Sequence, residues 1–144
     1  MKNDTIAKEA NELVLDMEHL TVHFELEDET VYAVNDVSLK IEKGKTIGLV
    51  GETGAGKTTT ALAILQLIPD PPGVIKDGRI CVCGQDMRQM SAKQLEKIRG
   101  QDVSMIFQDP MTSLNPVFTV GQQIAESVEL HENMNKEEAW ERAC

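Results

Sequence analysis

Gly51-Glu52-Thr53-Gly54-Ala55-Gly56-Lys57-Thr58 constrains this chain more than any other stretch, because it satisfies G-x-x-x-x-G-K-[ST] at every fixed position. The short, mostly apolar run Thr46 to Val50 stands before it and predicts a buried strand. Thr59 to Leu67 follows, rich in alanine and leucine, and predicts a helix. Strand, glycine loop and helix in that order are the context this motif requires. Glycines at 51, 54 and 56 let the backbone curl, so that several N–H groups point into one concavity. The concavity sits at a helix N-terminus, where unpaired N–H groups and the helix dipole favour an anion. Lys57 supplies a mobile positive charge for outer phosphates, the Thr58 hydroxyl is placed to hold Mg2+, and Thr59 offers a further donor. The loop implies a seat for a nucleoside triphosphate, with Gly51, Glu52, Thr53, Gly54, Ala55, Gly56, Lys57, Thr58 and Thr59 as the contact residues.

The rest of the composition narrows the partners. A chain of 144 residues can bury one core but is short for a whole parallel sheet. Its polar, acidic start does not read as a signal peptide. The best apolar run, Ala61 to Ile68, is broken by Gln66 and stopped by Pro69, so any membrane role is expected to pass through a partner. A net charge of −10 argues against nucleic acid. The charge is uneven: Lys40 to Arg99, which encloses the loop, has ten basic and six acidic residues. Three cysteines make no disulfide framework and fit a reducing compartment. Cys81 and Cys83 fall on a predicted strand and so on one face, without the further ligands a metal needs.

Residues 1–12 read as a polar tail. Leu13 to Leu26 and Val31 to Ile41 alternate and are joined by the acidic Glu27-Asp28-Glu29-Thr30, which predicts an antiparallel hairpin over 13–45. Pro69-Asp70-Pro71-Pro72-Gly73 ends the loop's helix. Arg79 to Cys83 predicts a short strand, and Ser91 to Arg99 a helix with Ser91 as N-cap and Gly100 as its stop. Val103 to Phe107 predicts a second buried strand, Val120 to Leu130 a helix, and Lys136 to the end another. These elements divide the chain into the hairpin, a segment 46–110 from the loop to the second strand, and a helical segment 111–144.

Val103-Ser104-Met105-Ile106-Phe107-Gln108-Asp109 has two readings on spacing alone. Asp109 assists magnesium as the aspartate of a Walker B strand, or Gln108 is the polar residue at the strand's carboxyl end, where ligands of open α/β sheets sit.

GETGAGKT followed by VSMIFQDPMTSLNP resembles the ATP-binding subunit of an ABC transporter, in the branch that imports oligopeptides, dipeptides and nickel. The resemblance runs from about Leu13 to the C-terminus. It implies an α/β fold, a P-loop NTPase core with an N-terminal antiparallel β subdomain. It makes Gln108 the Q-loop glutamine, which contacts Mg2+ and the attacking water and senses the transmembrane partner; Asp109 is then only its neighbour. It places Phe24 where an aromatic side chain stacks on adenine, with Tyr32 as second candidate; packing of Phe24 under the hairpin is the competing role.

The resemblance implies ATP and Mg2+ as cofactors, and transmembrane permease subunits and a second ATP-binding subunit as partners. The implied location is peripheral, at the cytoplasmic face of the inner membrane. The family's serine-glycine-glycine signature, its Walker B aspartate with the catalytic glutamate, and its switch histidine all fall beyond Cys144 in family order. His19, His23 and His131 stand in other segments. The expectation is therefore the N-terminal portion of a longer protein, truncated before the signature helix, that binds nucleotide with negligible turnover. Another P-loop enzyme, a kinase or GTPase, fits less well: there is no guanine-reading Asn-Lys-x-Asp, and the Gln108 phrase goes unexplained. A catalytically dead piece that docks on a membrane subunit through Met111 to Pro116 is the remaining alternative.

Overall fold

The computed structural model describes residues 13–108, 114–132 and 134–144. The chain divides into two units, Met1–Leu95 and Glu96–Cys144. Asp109 and the first half of the expected docking loop, 111–113, lie outside the described residues.

The first unit is built on an antiparallel sheet. Strands β1 (Leu13–Glu25) and β2 (Thr30–Glu42) form the predicted hairpin, closed by Leu26 N–H donating to the Glu29 carbonyl at 2.9 Å. β3 (Gly73–Val82) pairs with the other side of β1, and the two-residue β4 (Gln85–Asp86) completes the order β2-β1-β3-β4. One face carries the core: Leu15, Met17, Leu20 and Val22 of β1, Val34 of β2, and Ile80 and Val82 of β3 are buried, with Met87 beside them. The opposite face carries a charge ladder. Arg79 reaches Asp16 at 2.5 Å and Glu18 at 3.0 Å, and Lys40 reaches the same two carboxylates at 3.2 and 3.1 Å. Burial pushes the Asp16 carboxyl up, but the hydrogen bonds and charges of Arg79 and Lys40 outweigh it and hold it below its ordinary value.

Bulges keep this pattern in phase. Met17 and Leu20 are both buried although they stand three positions apart, an odd step that would put them on opposite faces, while their partners Leu39 and Val37 are two apart; β1 therefore takes up an extra residue between them. His19 supplies it at φ 55, and Asp36 on β2 answers at φ 51. His19 Nδ1 lies 2.6 Å from Asp36 Oδ1, His19 N–H donates to Ser38 Oγ at 3.0 Å, and Asp36 N–H donates to Thr21 Oγ1 at 3.2 Å. The Asp36 carboxylate raises the His19 pKa above the ordinary histidine value.

Helix α1 (Lys57–Ile64) follows the glycine loop. It ends earlier than the apolar run predicts, because Gln66 at φ 53 closes it. Gln66 N–H donates to the Ala63 carbonyl and Leu67 N–H to the Leu62 carbonyl, the two bonds of a Schellman turn.

α2 (Ala92–Gln101), whose first four residues belong to the first unit and the rest to the second, breaks at Arg99 and Gly100, the latter at φ 92. Gly100 is the predicted stop, and a Cβ there would meet His131 Nε2 at 2.5 Å. Ser91 is not a simple N-cap acceptor: its N–H and its hydroxyl both donate to Gln94 Oε1. Helices α3 (Val120–Glu132) and α4 (Lys136–Ala143) pack together, Ala139 is fully buried, and Gly121 leaves room for the Trp140 ring. Asn135 and Glu138 close a full capping box on α4. No helix among the described residues is long and apolar enough to cross a membrane.

Three local expectations are corrected. Thr46 to Val50 is not a buried strand: no described strand pairs with it, and Val50 is 95% exposed. Val103 to Phe107 is likewise no strand. It makes one isolated bridge, Arg99 to Val103, and Ile106 is 96% exposed. Both are apolar segments of the kind that parallel sheets bury on two faces, and without ladder partners they have nothing to bury against. Cys81 and Cys83 do not share a strand face, since β3 ends at Val82 and Cys83 turns away at φ 48.

Candidate functional site

The site starts where β2 ends. Lys45 N–H donates to the Glu42 carbonyl at 3.1 Å across Gly44 at φ 75, which turns the chain toward the glycine loop. Within the loop, Ala55 N–H donates to the Glu52 carbonyl at 3.2 Å, and Gly54 and Gly56 stand at φ 84 and 79. Left-handed backbone at both positions curls the loop into the first turn of α1. Gly56 is the N-cap residue, Thr60 N–H and Thr60 Oγ1 both donate to its carbonyl, and no side chain caps the helix. No acidic residue occupies the first turn, so the positive end of α1 is open to an anion.

Lys57 lies back along the loop. Its Nζ donates to the Gly51 carbonyl at 2.7 Å and to the Glu52 carbonyl at 2.6 Å. A Cβ on Gly51 would stand 3.2 Å from Ala55 Cβ and 3.9 Å from Lys57 Nζ, so only glycine leaves the mouth of the loop clear. Glu52, Thr53, Ala55 and Thr58 are exposed, and Thr59 is half-buried. Open amides, an unfilled mouth and a lysine at its rim fit a phosphate group, and Thr58 stands on the first helical turn with its hydroxyl available to a metal. The structure thus brings together the residues from Gly51 to Thr59.

Gln108 is exposed and belongs to the second unit, so it is described apart from the loop. Phe24 is half-buried near the end of β1, opposite Val31 on one side and Gly73 on the other. A Cβ on Gly73 would come within 3.0 Å of Phe24 Cε1, so the ring packs against that glycine. Tyr32 is 64% exposed and meets the His23 ring edge-on at 4.5 Å.

One residue of the site escapes motif reading. Ala33 is the extra residue of a bulge in β2: Val22 pairs with Val34, yet the next residue of β1, His23, pairs with Tyr32. A Cβ on Gly56 would stand 2.3 Å from the Ala33 carbonyl oxygen, so the bulge presses its backbone against the last glycine of the loop. No motif in the sequence marks it, because the extra residue is defined only by the register of β2 against β1.

The fold has counterparts among known proteins. The ATP-binding cassette MJ0796, in a dimeric post-hydrolysis structure bound to ADP and Pi, superimposes with a TM-score of 0.75 at 23% identity over 90% of this chain and 53% of that one. At that identity the likeness shows the fold, an ABC ATPase cassette. The oligopeptide transport ATP-binding protein OppD of Bacillus subtilis is 44% identical over 90% of this chain and 36% of its own length. A probable peptide ABC transporter ATP-binding protein of Sinorhizobium fredii is 42% identical over 92% of this chain and 39% of its own. The glutathione import ATP-binding protein GsiA of Escherichia coli is 42% identical over 90% and 22% respectively. The chain therefore spans less than half the length of these relatives. Residues 34–143 match the family described as ABC transporter. With its glycine loop and most of its length inside that match, this chain belongs to the ABC transporter family.

Proposed function

We propose that the chain is the nucleotide-seating part of the ATP-binding subunit of an importer for peptides or a related small solute. The observation that carries this is the loop from Gly51 to Thr59, curled over an uncapped helix end with Lys57 at its rim. In this reading the loop amides and Lys57 would hold the phosphates and Thr58 would hold Mg2+. When bound, the magnesium triphosphate would supply the phosphoryl group whose transfer powers transport. Gln108, in the second unit, is offered as a polar ligand to Mg2+ and to water, and Phe24 would offer its ring to adenine. The peptide-type solute is supported by the names of the relatives and by the phrase from Met105 to Pro116. The same kinship supports permease subunits and a second ATP-binding subunit as partners, at the cytoplasmic face of the inner membrane.

Titration of the purified chain with a fluorescent ATP analogue in Mg2+ tests the seat. Saturable binding is expected, and Lys57→Ala should weaken it at least tenfold, about 1.4 kcal/mol. Equal curves for the two proteins would remove the assignment. A second reading, a piece that docks on a membrane subunit, draws on the exposed apolar Leu114, Val117 and Phe118 after the Gln108 phrase. It predicts no saturable nucleotide binding at all.

A further inference from the structure

We infer that Thr60 is a positioning residue of the phosphate loop: its hydroxyl clamps the Gly56 carbonyl and so aims the Lys57 N–H at an entering phosphate oxygen. The inference rests on the seat proposed above.

Thr58, Thr59 and Thr60 follow one another at the start of α1, and the helix turns them to different surroundings. Thr58 is exposed and Thr59 half-buried, whereas Thr60, at 6% exposure, is the one buried polar residue among those described. Together with Ala63, almost one turn further on, it makes up the buried face of α1. Its hydroxyl turns back and donates to the Gly56 carbonyl at 2.9 Å, where the Thr60 N–H already donates at 2.8 Å. Both acceptor positions of that carbonyl oxygen are therefore taken.

Inside a helix such a back-bond is a routine outlet for a threonine hydroxyl. Here the acceptor is the N-cap residue, a glycine without a side-chain cap. Without a second tether, the peptide joining Gly56 to Lys57 could swing about Gly56 ψ, which stands at 4°, and Lys57 φ. A trans peptide carries its C=O and its N–H on opposite sides. Holding the Gly56 carbonyl down the helix therefore holds the Lys57 N–H outward, at the mouth of the loop, where the helix offers it no acceptor. A carbonyl engaged by two donors also polarises its peptide, which strengthens that N–H toward an anion.

A pair of variants separates the hydroxyl from the packing. Thr60→Val keeps the branched shape and removes the donor, while Thr60→Ser keeps the donor and removes the methyl group. Isothermal titration of the full chain with Mg2+–ATP should show Thr60→Val binding about fivefold more weakly, somewhat under the worth of a whole hydrogen bond to a charged oxygen. Thr60→Ser should stay within about twofold of the wild type, since its hydrogen bond is retained. The 1H–15N signal of Lys57 gives a readout that packing alone would not move. Saturating Mg2+–ATP should shift its amide proton downfield in the wild type and in Thr60→Ser, and clearly less in Thr60→Val. If Thr60→Val does not fold, Thr60→Ala takes its place with the same expected split. Equal affinity of the wild type and the donor-less variant, an equal Lys57 shift in both, or the same loss in Thr60→Ser overturns the clamp and leaves the seat standing. A wild type that binds no Mg2+–ATP overturns the seat, and the clamp with it.

Discussion

β1 and the segment Thr46 to Val50 are both apolar enough to be core strands, and the molecule treats them oppositely. β1 lies between β2 and β3, with its inward residues Met17, Leu20 and Val22 wholly buried. Thr46 to Val50, and likewise Val103 to Phe107, have no ladder partner among the described residues and hold Val50 and Ile106 in solvent. Hydrophobic content is therefore not what makes a strand. An antiparallel hairpin can close through a short turn within its own segment, whereas a parallel strand requires neighbours delivered by crossovers from distant parts of a chain. The sheet is self-sufficient, whereas those two segments form no ladder among the described residues.

Substitutions can break that contrast. Met17→Ala should lower stability by about 3 kcal/mol, since Met17 is fully buried in the sheet core; urea denaturation followed by circular dichroism reads it. A midpoint that does not move would mean that the sheet is not the stable part. Val50→Asp and Ile106→Asp should each change the same midpoint by no more than about 0.5 kcal/mol. They should also reduce self-association in light scattering, because exposed apolar strand segments invite pairing between molecules. Destabilisation as large as that of Met17→Ala would show these segments to be packed.

The smallest effect concerns pH and belongs to the sheet alone. The pKa of His19 is raised by Asp36, so the folded state binds the proton more tightly than the unfolded chain does. Its contribution is full below the ordinary histidine pKa and is lost as pH rises through the raised value. A slight fall in thermal stability across neutral pH is expected, absent in His19→Gln. Both partners are largely exposed, so solvent and salt screen the pair.

Much of this was legible beforehand. The hairpin limits follow from alternation and the acidic turn, the stop at Gly100 from its backbone chemistry, and the loop from its motif, whereas Gln66 closes α1 before Pro69 is reached. What alternation could not show was pairing. Thr46 to Val50 has the composition of a buried strand, and composition carries no information about whether a neighbour is present. β3 starts at Gly73, well before the Arg79 to Cys83 strand that the sequence predicts, because Gly73 to Gly78 lacks a simple period and its ladder to β1 shifts register at Thr21 and Val22. At the site, the motif identified each loop residue but not Ala33, whose part depends on a register seen only when two strands are laid side by side.

The posture of Lys57 has a last consequence. Its ammonium already donates to the carbonyls of Gly51 and Glu52, which leaves it one N–H for anything entering the loop. An incoming oxygen meets a single aimed proton on a tethered stem instead of a freely swinging cation. A guanidinium at the same position, planar and broader, could keep the charge yet could not reproduce that tripod, so charge conservation alone would not preserve what this side chain does.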